Sequence, residues 1–486
     1  MMQFVSAESA TAAPEPIYYN RDGGGSGGSG SSSGGIYLDL ITASSRESPS
    51  NTKMGNTGFQ RSRPWPELPT NSAKSGMGRF NNAACMEQLL VHCAHAIESN
   101  DATLAQQILW VLNNIAPPDG DSNQRLTAAF LRALILRASR SGSAIASTIA
   151  AACATNGNNP FSHCVCYPLR VSPVALANFV DLTPWHRFGF SAANSAITNA
   201  AVGFSVLHLV DLTSTHGMQM PTLIEALAAR PEGPPFLRLT VPAASSSTLS
   251  PPLALDISLD ELGSRLVNFA RSRNVGMEFR VVPSSPGDGF ESLMEHLRFA
   301  QQLGGGGEDE ALIINCHMVG HQIPEESVAT GTSRRSFFLK EIRSLDPNLV
   351  VIVDEEADFT AGDVVGRLRA AFNYLWIPFD AVETFLPAGS EQRNNYETAL
   401  CWKIENVIAM EGLQRVERLE PRNRWIQRMR AAGFHATGFA EEAAAEVKSM
   451  LDDHSAGWGL KKDEDELVLT WKGHDVLFSS AWVPSC

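Results

Sequence analysis

The chain has 486 residues, 44% of them hydrophobic and 19% charged; this excludes a fibrous or wholly unfolded protein and leaves room for one large domain plus a tail, or two ordinary domains. A formal net charge of −14 excludes a strongly basic, sequence-independent grip on nucleic acid, which needs many Lys or Arg facing phosphates, although a local basic face stays open. Eight cysteines scattered along the whole length are not the dense framework of a small secreted domain, so reduced thiols are expected.

Met1 to Glu8 lacks the basic start and apolar run of a signal peptide, and no uninterrupted apolar stretch reaches about 18 residues, so a soluble intracellular protein is expected. Residues 1–81 are rich in Gly, Ser, Asn and Pro, with an unbroken Gly/Ser run from Gly23 to Gly35. Such a segment buries too little apolar surface to offset its ordering entropy and is expected to be disordered. The run spells GxGxxG (Gly25 to Gly30) and GxSxG (Gly24 to Gly28), but no strand precedes and no helix follows, so both are accidents of composition.

Three helical patterns follow between Cys85 and Ser139. Their stripes are Met86, Leu89, Leu90, Cys93 and Ile97; then Leu104, Ile108, Val111, Leu112 and Ile115; then Leu126, Phe130, Ala133, Leu134 and Leu136. Asp101 and Ser122 are the expected caps, and Pro117 and Pro118 end the second helix. Such Leu-rich stripes can pack within the domain or on a partner. Next, His163, Cys164 and Cys166 cluster tightly, but no second Cys pair follows at zinc spacing, so ordinary buried thiols are expected.

The run Ser205 to Asp211, the loop Leu212 to Gly217 and the apolar pattern Met220 to Arg230 read as strand, loop and helix, the first βα unit of a parallel sheet. In such sheets the ligand site lies beyond the carboxyl end of a strand, at this loop. A dinucleotide loop needs several glycines and an acidic ribose anchor about 20 residues on. Here the loop has Gly217 alone, and the next strand, 236–241, carries Arg238 and no carboxylate. The scaffold is of nucleotide type without nucleotide chemistry, and no cofactor is expected. His208 and Asp211 point to opposite faces of a strand and cannot share a metal ion. His208 is expected to be buried and hydrogen-bonded at the sheet centre, and Asp211 to meet backbone N–H groups of the following loop.

Strands are predicted again at 236–241, 277–282, 311–316 and 349–354, and helices at 259–273, 289–303, 334–345 and 361–375. This alternation marks an α/β protein with a doubly wound sheet. Gly304 to Gly307, followed by Glu308, Asp309 and Glu310, reads as a flexible acidic loop within it. No P-loop, HExxH or Ser/His/Asp arrangement occurs, and His317 and His321 lack a nucleophile or carboxylate at motif spacing, so no catalytic or metal residue is assigned. The densest basic segment is Arg415, Arg418, Arg422, Arg424, Arg428 and Arg430. On a helix after Pro421, Arg424 and Arg428 share a face that can meet DNA phosphates or an acidic partner; the alternative is a solvated face laced with salt bridges. Finally, Leu467 to Trp471 and Val476 to Trp482 read as a hairpin turning at Gly473 and His474, with Trp471 and Trp482 on one face.

Residues 82–486 resemble the GRAS domain of plant transcriptional regulators, on the scarecrow-like, short-root side of that family. Leu207, His208, Leu209, Val210 and Asp211 stand where the family has Val-His-Ile-Ile-Asp. Residues 85–150 and 255–303 match its two leucine-rich regions, with the VHIID region at 160–236. Its Pro, Phe-Tyr, Arg-Glu motif, in 311–402, is matched loosely by Pro347, Phe372, Tyr374, Arg393 and Glu397. The last region, 405–486, is matched by Trp425 and Gly433, by Trp471 and Trp482, and by Ser480, Ala481 and Trp482 in sequence. The resemblance implies a helical cap on a Rossmann-like, methyltransferase-like core, and a non-enzymatic, nuclear regulator of transcription. It further implies that the protein acts through dimers with GRAS proteins and through other transcription factors, zinc-finger proteins among them. Two rivals are carried forward: a direct, sequence-reading DNA binder using Arg424 and Arg428, and a methyltransferase-like enzyme binding S-adenosylmethionine at 212–217.

Overall fold

The computed structural model describes residues 83–140, 169–213, 216–243, 253–303, 309–325 and 333–485. The Gly/Ser-rich tail, the cluster of His163, Cys164 and Cys166, and the loop at Gly304 to Gly307 lie outside them.

Three helices open the order, α1 (Ala83–Glu98), α2 (Ala102–Ile115) and α3 (Ser122–Arg140). Asp101 caps α2, its carboxylate accepting from the Leu104 N–H at 3.0 Å. Asp121, not Ser122, caps α3: it accepts from the Gln124 N–H at 2.9 Å while Gln124 Oε1 accepts from the Asp121 N–H at 3.0 Å. This reciprocal pair satisfies two orphan donors, which a lone serine cannot. Met86, Leu90, Cys93, Ile97, Ile108, Leu112, Leu126, Phe130 and Leu134 all enter one apolar core, so the stripes are largely spent inside the domain. What α2 shows outward is Trp110, 61% exposed.

The chain continues through β1 (Leu169–Val171), α4 (Pro173–Asp181), α5 (Pro184–Ala200), β2 (Val206–Thr213), α6 (Met220–Ala228), β3 (Phe236–Ala243), β4 (Leu253–Leu255), α7 (Leu259–Ser272) and β5 (Met277–Pro283). Then come α8 (Glu291–Gln302), β6 (Glu310–His317), α9 (Arg334–Ser344), β7 (Leu349–Glu355), α10 (Val364–Phe385) and α11 (Glu391–Ala409). It closes with α12 (Arg422–Ala431), β8 (Phe434–Ala436), α13 (Glu441–Asp452), β9 (Trp458–Asp463), β10 (Glu466–Trp471) and β11 (His474–Pro484). Among the described residues no helix is long and apolar enough to cross a membrane.

The main sheet runs β5-β3-β2-β6-β7-β11-β10-β9, with β8 beside β11. The five strands β5 to β7 in this order are mutually parallel, and β11 joins β7 antiparallel. The sheet order therefore reverses direction at the β2/β6 boundary, because β2 leads outward to β3 and β5 on one side while β6 and β7 build the other. Strand alternation sends Leu207 and Leu209 into one core, under α5, α6, α7 and the cap, and Val210 and Leu212 into the other, under α8, α9 and α12. The cap is α1 to α3 packed on α10 and α11, with Phe130 of α3 edge-on to Phe372 of α10 at 5.4 Å.

Two further expectations needed correction. Helix α10 continues ten residues past 375, through Pro378, because Trp376, Ile377, Phe379 and Val382 are buried and their burial outweighs the donor lost at proline. The C-terminal hairpin turns at Lys472 and Gly473, not at Gly473 and His474: both have positive φ, 48° and 83°, as a type I′ turn requires. Trp471 then pairs with His474, and a bulge after Leu469 shifts the register. Consequently Trp471 faces the core shared with Leu467 and Leu469, while Trp482 and Phe478 face the opposite one.

Candidate functional site

The reversal point between β2 and β6 is where a sheet of this kind receives a ligand. Register places Asp211 of β2 beside Asn315 of β6 there. Asn315 Nδ2 donates to Asp211 Oδ1 at 2.8 Å and to Gln219 Oε1 at 2.9 Å, and Gln219 Nε2 donates to Asn194 Oδ1 at 2.9 Å. Among the described residues Asp211 meets a side-chain amide network, which the register of the two parallel strands sets beside it. Asp211 Oδ2 has no partner among the described residues, and burial pushes its carboxyl up to about 7.

Beside Asp211 the remaining space is small. Thr213, His216, Gly217, Leu239, Val241, Leu259, Leu262, Leu266 and Phe279 close round a cavity of about 40 Å³, enough for about three water molecules. Leu259, Leu262 and Leu266 of α7 form one wall of this space. Helix α7 can lie this close because Gly263 has no side chain: a Cβ there would stand 2.2 Å from the Phe279 ring.

His208 is on the other face, buried, with Nε2 and Thr240 Oγ1 2.9 Å apart. Burial, with Arg238 and Arg280 nearby, lowers its ring to about 4, so it is neutral, as expected of a hydrogen-bonded residue at the sheet centre.

A larger cavity of about 160 Å³ opens at the carboxyl ends of β6 and β7, where α4, α5, α10 and α11 meet the sheet. That is the size of an apolar cavity able to hold a benzene-sized ring. Leu176, Phe179, Trp185, Leu375 and Leu400 give it apolar walls, and Glu355, Lys403, Glu417 and His321 give it a charged one. Lys403 Nζ lies 2.6 Å from both Glu355 oxygens and 3.4 Å from Glu417 Oε2. His321 has Nδ1 2.8 Å from Asp354 and Nε2 3.4 Å from Glu417. Burial opposes charge on the His321 ring, but Asp354 and Glu417 outweigh it and lift the ring to about 9. Burial likewise opposes charge on Glu417, and Lys403 and His321 hold it down to about 2. Asp354 and Glu417, on either side of the ring, favour its protonated form. Sequence reasoning missed the network because its members are far apart in the chain; Lys403 within an apolar helical run was the available signal.

The remaining motif residues are framework. Pro347 is buried in the turn between α9 and β7, whereas Phe372 and Tyr374 lie on α10 and Arg393 and Glu397 on α11, so the fold does not gather them into one site. Tyr374 O–H donates to the Val476 carbonyl at 2.8 Å. Arg393 Nε and Arg125 Nε both reach Glu397 Oε1, at 3.1 and 3.0 Å, tying α11 to α3. Trp425 is buried under the Arg335 guanidinium, 5.9 Å away, and Gly320 is needed opposite, since a Cβ there would stand 2.8 Å from the ring. Gly433 ends α12 at φ 88°, and its carbonyl accepts from Arg343 Nε at 3.0 Å. Trp471 Nε1 donates to Asp380 at 2.8 Å, and Trp482 Nε1 to Ser480 Oγ at 2.9 Å, while Ala481 pairs with Val351 in the sheet. Of the two candidate basic contacts, Arg428 is engaged internally by Glu420 and Glu325 at 2.8 and 2.7 Å. Arg424 is 45% exposed and pairs with Asp358 at 3.4 Å. The salt-bridged alternative describes this helix.

Order of strands, antiparallel C-terminal hairpin and helical cap together define a doubly wound, Rossmann-like α/β fold. Residues 86–483 match the GRAS domain family, and the chain belongs to it, a family of plant transcriptional regulators. It is 53% identical over 407 residues to Scarecrow-like protein 32 of Arabidopsis thaliana, covering 83% of this chain and 94% of that protein. Against Protein SHORT-ROOT of the same plant it is 32% identical, covering 83% of this chain and 74% of that one. The crystal structure of SCL7 in Oryza sativa superposes with a TM-score of 0.63 at 24% identity, covering 82% of this chain and 99% of that one, a likeness of fold.

Proposed function

We propose that this chain is a non-enzymatic, nuclear regulator of transcription that works through protein–protein contacts, in dimers with itself or other GRAS proteins and with further transcription factors, zinc-finger proteins among them. The observation that carries this reading is the small space beside Asp211, about 40 Å³ among the described residues and walled by Leu259, Leu262, Leu266 and Phe279, in a chain from a family of regulators. With so little room there, the outer surfaces are left to act. Direct DNA reading by Arg424 and Arg428 is disfavoured, because their guanidiniums already hold Asp358, Glu420 and Glu325.

Tethering the full chain to a heterologous DNA-binding domain tests the reading in plant cells. Reporter output is expected to change severalfold while a fluorescent fusion accumulates in the nucleus. A cytosolic fusion, or a tethered chain that leaves output unchanged, contradicts it. Gel shifts with the untethered chain distinguish direct DNA contact, and none is expected.

A further inference from the structure

The basic segment divides in the fold. Arg422, Arg424 and Arg428 hold carboxylates, but Arg415 and Arg418 form no ion pair among the described residues. Arg415 Nη1 has only the Phe359 and Ala361 carbonyls, at 3.4 and 3.5 Å, and its buried Nε has no partner. Arg418 Nη2 donates to the Gly412 carbonyl. Arg367 of α10 and Arg137 of α3 converge on the same place, both holding Glu411 Oε1, and Arg140 reaches Gln414. Five guanidiniums thus surround residues 411–414, whose carboxylate is shared by two of them. Glu98, on Arg137, and Asp363, near Arg367, are the bordering acids. Burial first, then Arg367, Arg418 and Arg137, against an upward pull from Glu411, lowers Arg415 to about 10. At the rim Leu413 is 72% exposed.

We propose that this cluster binds the phosphate monoester of a phosphorylated serine or threonine on a partner protein, with Leu413 meeting an apolar residue beside it. A phosphate dianion brings charged acceptor oxygens to the half-buried guanidiniums of Arg415 and Arg418, which have only carbonyl partners among the described residues. A duplex is the poorer occupant: it needs basic residues tracking several phosphates, whereas this cluster gathers around residues 411–414, bordered by acids, on a chain of net charge −14. Leu413 favours a peptide over a free anion. The site is separate from the crevice and the cavity, and stands whether or not the transcriptional reading does.

The test uses the full chain and fluorescence anisotropy with a labelled degenerate peptide pool carrying one central phosphoserine, against the same pool with serine. Phosphorylation is expected to tighten binding about tenfold, the scale of one charge-assisted contact. The preference should vanish in the Arg415→Gln, Arg418→Gln double variant with its melting temperature retained. Leu413→Asp, which leaves the arginines in place, should weaken the phosphopeptide pool without changing competition by inorganic phosphate. Equal affinity for both pools overturns the proposal. So does an undiminished preference in the folded double variant, a Leu413→Asp variant that binds the phosphopeptide pool unchanged, or tighter binding of a short DNA duplex than of the phosphopeptide pool.

Discussion

Lys403→Met is expected to destabilise the domain by about 3–5 kcal/mol, the cost of removing one partner from a buried ion network. The ammonium stands between Glu355 and Glu417, both buried, and no other lysine shares them. Methionine fills the same volume, so the loss reports charge rather than a void. Denaturant unfolding of the two proteins at pH 7 measures it through the transition midpoint. A variant within 1 kcal/mol of the parent at pH 7, a margin small beside the buried-pair cost, shows that the network is not a structural anchor.

Asp211→Asn is expected to stabilise the domain at pH 8, by up to about 4 kcal/mol, despite altering a motif residue. The carboxyl rises from its ordinary 3.8 to about 7 in the folded chain. Between those values the folded state holds more protons than the unfolded one, so stability falls as pH rises from about 4 to about 7, and the full cost persists above. Asparagine keeps the acceptor for Asn315 Nδ2 and removes the ionisation. Stability curves of parent and variant should converge near pH 4 and separate toward pH 8. A variant less stable than the parent at pH 8 indicates that the ionised carboxylate is held by something beyond the described residues.

Much of the fold was legible because burial leaves a period in the chain. Val206 to Asp211, 236–241, 277–282, 311–316 and 349–354 are apolar runs of strand length, and each became a strand of the sheet. Helix α5 was not read, since Phe188, Phe190, Ala192, Ala193, Asn194 and Ile197 bury it on several sides and erase the stripe. The end of α10 and the hairpin register were set by tertiary packing and by one backbone conformation at Lys472. The site was half legible: the strand-loop-helix run at 205–230 placed the carboxyl end of β2 at the reversal point of the sheet. The leucines of α7 that fill the space come from 50 residues on, and no local pattern announces that they fold back. Likewise His321, Asp354, Lys403 and Glu417 meet only in three dimensions.

Calorimetric titration of the full chain with S-adenosylmethionine asks the central question, whether the crevice beside Asp211 is packed as Leu259, Leu262, Leu266 and Phe279 make it. The packing predicts no saturable heat and no shift in melting temperature at millimolar ligand. Saturable micromolar binding contradicts it.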